Sequence, residues 1–82
     1  MMKMKDNNSS FQTSDFTLAT FLYSQGIILR DLIASPGDFK RKVFVFDEPP
    51  EELLALFQSG KAEINVLAYE NAQNALRSML RN

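Results

Sequence analysis

One segment near the N terminus holds every signal of a complete short helix, and this segment sets where the folded domain begins. Thr13 or Ser14 offers a hydroxyl that can cap the first turn, and the carboxylate of Asp15 then favours the positive end of the helix dipole. Gly26 supplies a left-handed residue that ends the helix. We therefore predict a helix over about residues 14–25. Its apolar face follows the i, i+3, i+4 spacing and comprises Leu18, Phe21 and Leu22, with Ala19 beside them.

Two apolar, β-branched segments follow this helix and predict a pair of strands, at residues 27–33 and 42–46. The sequence Ser-Pro-Gly-Asp at 35–38 lies between them. It is a strong turn signal, because Pro suits the first central position of a turn and Gly accepts a positive φ. We expect an antiparallel hairpin whose tip is formed by residues 35–41.

The segment after the hairpin has the signals of a second helix and of a short strand. Four acids and two prolines at residues 47–52 predict the helix start, because acids in a first turn favour the dipole and Pro is tolerated there. Gly60 is expected to end this helix. Residues 61–66 alternate polar and apolar side chains, which predicts a third strand. The predicted buried stripe of the second helix comprises Leu53, Leu56 and Phe57.

The last part of the chain predicts a third helix and completes the architecture. Asn65 is the expected N-cap of this helix. The order of elements is then α-β-β-α-β-α, an α+β fold in which helices pack on a small antiparallel hairpin or three-stranded sheet. We expect a disordered polar tail at residues 1–10 and a single domain at 11–82. The predicted apolar face of the last helix comprises Tyr69, Ala72, Leu76, Met79 and Leu80.

The composition argues against several kinds of chemistry. The 82 residues include no Cys and no His, which removes thiol nucleophiles, thiolate metal sites and imidazole bases. The chain also lacks a glycine-rich phosphate-binding loop. We therefore expect no enzyme, no metal and no cofactor, and no small-molecule substrate is indicated. The net charge of −1 and the lack of a long apolar run predict a cytoplasmic protein that does not enter a membrane.

A small basic and aromatic cluster at the hairpin tip is the candidate binding site. Phe39, Lys40, Arg41 and Lys42 are consecutive, and Arg30 is expected to lie nearby across the strand ladder. Such a cluster can contact phosphates and stack on a base. The simpler alternative is that these charges keep the hairpin soluble and protect its edges from pairing.

The positions that define the first helix and the second strand also form a recognisable pattern. The pattern is Phe11-x-Thr13-x-Asp15-x-x-Leu18-Ala19, then Gly26, then Val43-Phe44-Val45-Phe46. Over roughly residues 11–80, the chain resembles a small family of domains of unknown function that is associated with bacterial, phage and mobile-element genomes. The resemblance implies a stand-alone cytosolic module, and it brings no catalytic or binding residues with it.

Together these features favour a non-enzymatic accessory or regulatory module that acts by binding a macromolecule. The expected partner is another protein, or a second copy of the chain in a homodimer, bound through a sheet edge or a helix face. An exposed strand edge is a ready template for a second chain, and a domain of this size gains burial from a partner. The alternative is nucleic-acid binding through the basic hairpin tip.

Overall fold

The computed structural model describes residues 10–35 and 37–81, apart from the side chains of residues 39 and 40. The fold is α+β, as predicted, but the order of elements is β-α-β-β-α-α. The three strands form one antiparallel sheet in the order β1-β3-β2. The elements are β1 (Ser10–Thr13), α1 (Phe16–Ser24), β2 (Leu29–Ser35), β3 (Asp38–Asp47), α2 (Glu51–Ser59) and α3 (Val66–Arg81).

The third strand is at the N-terminal end of the described chain, whereas the sequence predicted it at residues 61–66. In β1, Phe11 lies opposite Phe46 of β3 and packs against the core. Residues 61–65 form no regular element, because the backbone at each end of this short connection makes a hydrogen bond to the adjacent helix. The Lys61 N–H donates to Leu56 O at 3.1 Å, and Asn65 O accepts from the N–H of the second turn of α3 at 2.9 Å.

The N-cap of α1 differs from the prediction, which offered Thr13 or Ser14. Asp15 is the N-cap, and its Oδ1 accepts from the N–H groups of Thr17 at 3.0 Å and Leu18 at 3.4 Å. The hydroxyl of Thr13 instead accepts from the Asp15 N–H at 3.0 Å and so fixes the turn that leads into the helix. Gly26 follows the helix with φ +87°, the left-handed conformation that the sequence predicted.

The core lies between one face of the sheet and the helices α1 and α3. Phe44 and Phe46, two residues apart on β3, are almost completely buried, as the alternation of a strand requires when one face is covered. The α3 stripe is confirmed, because Leu76 is fully buried and the remaining predicted residues are buried or pack against the core. The fully or almost fully buried apolar residues are Ala19, Phe21, Leu22, Phe44, Phe46, Ala72 and Leu76.

Helix α2 packs on this core less deeply than the sequence predicted. Its aromatic ring, Phe57, lies 5.2 Å from the ring of Phe21, measured between centroids, and Leu53 also contacts the core. Leu56 was expected in the same stripe but is 43% exposed, and Leu54 takes its place against the core. The stripe is therefore rotated around the helix and consists of Leu53, Leu54 and Phe57.

We expect Asp15→Ala to lower the free energy of unfolding by about 1 kcal/mol, since two backbone N–H groups of α1 lose their acceptor. Urea denaturation followed by circular dichroism measures the change. Ser14→Ala is the matched control, because Ser14 is exposed and its hydroxyl makes no hydrogen bond to the residues that the structure describes. Equal losses in both variants would contradict the assignment of the cap to Asp15.

We expect Leu76→Ala to cost about 2–5 kcal/mol of unfolding free energy, because it removes a fully buried side chain and leaves a cavity beneath the sheet. Leu67→Ala, on the same helix but 66% exposed, is expected to change stability by less than about 0.5 kcal/mol. Thermal and urea unfolding of the two variants test this contrast. A similar cost at both positions would show that α3 packs in another orientation.

Candidate protein-binding groove

An open cavity of about 570 Å³ lies along the edge of β2 that no other described strand occupies. Residues 26–32 all contribute to its wall, so the cavity follows the strand edge instead of covering a single face of the sheet. The opposite edge of β2 is occupied by β3. We refer to this cavity as the β2 groove; its wall consists of Tyr23, Gly26, Ile27, Ile28, Leu29, Arg30, Asp31, Leu32 and Met79.

The groove exists because the chain turns sharply between α1 and β2. The Ile27 N–H donates to Leu22 O at 3.1 Å, which closes the helix end and directs the chain into the strand. The carbonyl of Ile28 accepts from the Asp47 N–H at 2.9 Å, so β3 holds the backbone at this point. The side chain of Ile28 nevertheless remains 57% exposed at the groove wall. Met79 adds a contribution from α3 to the same wall.

A β-bulge places the first of two charged residues in this wall. The ladder pairs Leu29 with Phe46 and Asp31 with Val45, which leaves Arg30 as the extra residue on β2. The guanidinium of Arg30 binds the carboxylate of Asp47 through both Nε and Nη2, with 3.2 Å between Nη2 and Oδ2. This hydrogen-bonded pair raises the pKa of Arg30 above its usual value. The positive charge of the bulge is therefore compensated by β3.

The second charged residue of the wall, Asp31, has no such compensation. Its Oδ1 accepts from the backbone N–H of Leu32 at 2.8 Å. Its carboxylate makes no ion pair with any residue in the described part of the chain. The Leu32 N–H is thus occupied by a side chain of its own strand. With Arg30 paired to Asp47, the β2 groove carries one uncompensated negative charge.

The structure does not bring Arg30 to the basic hairpin tip. Arg30 lies beside the pairs made by residues 29 and 31, whereas Lys42 lies opposite Ala34 near the turn. Four residues of strand separate the two positions, a distance of about 13 Å. Arg41 is exposed and Lys42 is partly buried. The predicted tip at residues 35–41 is too long, because β2 continues to Ser35 and β3 already begins at Asp38. Pro36 and the side chains of Phe39 and Lys40 lie outside the described residues.

The sequence predicted binding through a strand edge, and it did not indicate the residues that form the groove. In the sequence, Tyr23 and Met79 have the spacing of ordinary residues at the edge of the apolar face of two amphipathic helices. Only the packing of those helices brings the two side chains to the wall of one cavity. One sequence feature could have indicated the groove, namely the run of apolar residues from Ile27 to Leu29. A strand with one solvent-exposed face is expected to alternate apolar and polar residues instead.

The described residues also bear on metal binding and on membrane insertion. In residues 10–35 and 37–81, no three His, Cys, Asp or Glu side chains are grouped so that they could hold a metal ion. None of the helices within these ranges has the length and apolar character needed to cross a membrane.

Comparison with known proteins places this structure in a family without assigning an activity. No curated protein and no solved structure shows significant similarity to the chain. A family model described as Domain of unknown function (DUF5659) matches residues 8–82, which include every strand and helix described above. The chain therefore belongs to the DUF5659 family.

Proposed function

We propose that this domain is a non-enzymatic module that binds an extended segment of a partner protein in the β2 groove. The observation that carries the proposal is an apolar groove beside a strand edge that pairs with no other strand in the described part of the chain. Strand addition uses this combination, since the edge offers main-chain hydrogen bonds and the adjacent groove accepts alternate side chains of the incoming segment.

The size and lining of the groove support this binding mode. A volume of about 570 Å³ falls within the range of about 300–1,000 Å³ that is typical of ligand sites. Tyr23, Ile28 and Met79 provide apolar surface from three different elements. The groove is open to solvent, which suits an extended chain segment as the ligand.

We further propose that the module acts in the cytoplasm of a bacterial host, in line with the family resemblance.

Nucleic-acid binding is the weaker proposal, because Arg30 does not join the basic residues of the hairpin tip. Arg30 is about 13 Å from Lys42 along the strand and is paired with Asp47. Arg41 remains as an exposed basic residue near the turn. Among the described side chains of the tip, Arg41 is exposed and Lys42 is partly buried, and so few cations release few counterions and support little affinity for phosphate backbones.

The proposal predicts that Ile28→Glu weakens peptide binding at least tenfold, because a carboxylate replaces exposed apolar surface in the groove wall. The probes are peptides selected from a phage-displayed random library on the immobilised domain. Their affinities are measured by isothermal titration calorimetry. Leu67→Glu is the matched control, because Leu67 is 66% exposed on α3 and outside the groove, and its affinity is expected to stay within twofold.

Amide chemical shifts locate the binding surface independently of the variants. Selected peptides are expected to shift the resonances of residues 27–34 and of Met79. Failure to select any peptide, or shifts confined to other surfaces, would contradict the proposal. Binding of a single-stranded oligonucleotide at low salt that is lost in Arg41→Ala would favour the nucleic-acid alternative.

A further inference from the structure

We infer that the segment bound in the β2 groove carries a Lys or Arg next to its apolar anchor, and that Asp31 recognises this cation. The inference rests on the proposed function and adds the chemistry of the partner to it. Two observations carry it: the distribution of charge in the groove wall, and the hydrogen bond that Asp31 makes to its own strand.

The charge distribution favours a cationic partner. Arg30 and Asp31 are the two charged residues of the groove wall. Arg30 is bound through two nitrogens to Asp47, so its charge is already neutralised by β3. Asp31 is exposed and its carboxylate has no cation partner among the described residues. An incoming Lys or Arg restores charge complementarity at this point, whereas an acidic residue meets a like charge.

The hydrogen bond of Asp31 links this charge to main-chain pairing. Asp31 Oδ1 is 2.8 Å from the N–H of Leu32, a donor on the edge strand. A neutral strand that pairs here has to compete with the carboxylate for that donor. A strand that brings a cation offers the carboxylate a new partner and leaves the Leu32 N–H available for the incoming main chain. The basic residue and the strand pairing are therefore expected to act together.

The same features disfavour a second copy of the chain as the occupant. A bulge and charged side chains on an edge strand are typical devices against uncontrolled edge pairing. Two copies that pair through β2 bring two uncompensated Asp31 carboxylates and two bulges to one interface. Like charges across a strand pair are destabilising, so a partner with the opposite charge fits this edge better than the chain itself.

The test uses one selected peptide in three forms, with Lys, Met or Glu at the position next to the apolar anchor. We expect the Lys form to bind the wild-type domain about fivefold more tightly than the Met form, and the Glu form to bind most weakly. Asp31→Asn is expected to remove the difference between Lys and Met, and Asp31→Lys to favour Glu. Glu63→Gln, which changes an exposed acid outside the groove, serves as the charge control. The preference should shrink in 0.5 M salt.

The possible outcomes separate this inference from the proposed function. If all three peptides bind in the groove with equal affinity, or Asp31→Asn leaves the preference unchanged, the cation inference is wrong and groove binding stands. If no peptide shifts the resonances of residues 27–34, both fail. If light scattering finds a dimer that Ile28→Glu dissociates, a second copy occupies the groove and the inference is overturned.

Discussion

The burial of Phe44 and Phe46 beneath α1 and α3 is the constraint on which the rest of the structure depends. These two side chains fix which face of β3 meets the helices, and a slip of one residue would turn both toward solvent. β3 also lies in the centre of the sheet, with β1 on one side and β2 on the other. Its register therefore sets the position of every other strand.

The same register determines the wall of the β2 groove. Asp47, at the end of β3, holds β2 through its backbone N–H, which donates to Ile28, and through its carboxylate, which binds Arg30. The first contact positions the exposed apolar side chain of Ile28. The second neutralises the bulge residue and leaves Asp31 as the charge in the groove wall that pairs with no cation among the described residues. The core and the candidate site are thus coupled through Asp47, whose backbone binds Ile28 just before β2 and whose carboxylate binds Arg30 within β2.

Several elements were readable from the sequence because their signals are local. The ends of α1 and α2 follow from Gly26 and Gly60, which both adopt a positive φ. Asn65 caps α3 as expected, with its Oδ1 accepting the Ala68 N–H at 2.9 Å. The prediction of a strand at residues 61–66 was wrong, because the alternation of polar and apolar residues over six positions does not reveal whether a neighbouring strand is there to pair with the backbone. β1 was missed for the same reason, since four residues carry little pattern.

The sequence by itself determined the α+β class, the pairing of the hairpin strands, the glycine ends of α1 and α2, the Asn65 cap and most of the core residues, because propensity, turn chemistry and periodicity act between near neighbours. The tertiary structure alone decided that β1 completes the sheet, that Arg30 lies away from the hairpin tip, and that Tyr23, Ile28 and Met79 share one groove. These facts depend on strand register and helix packing between residues far apart in the chain. The first helix, α1, is an element of the fold, and Tyr23 in its last turn forms part of the wall of the proposed binding groove.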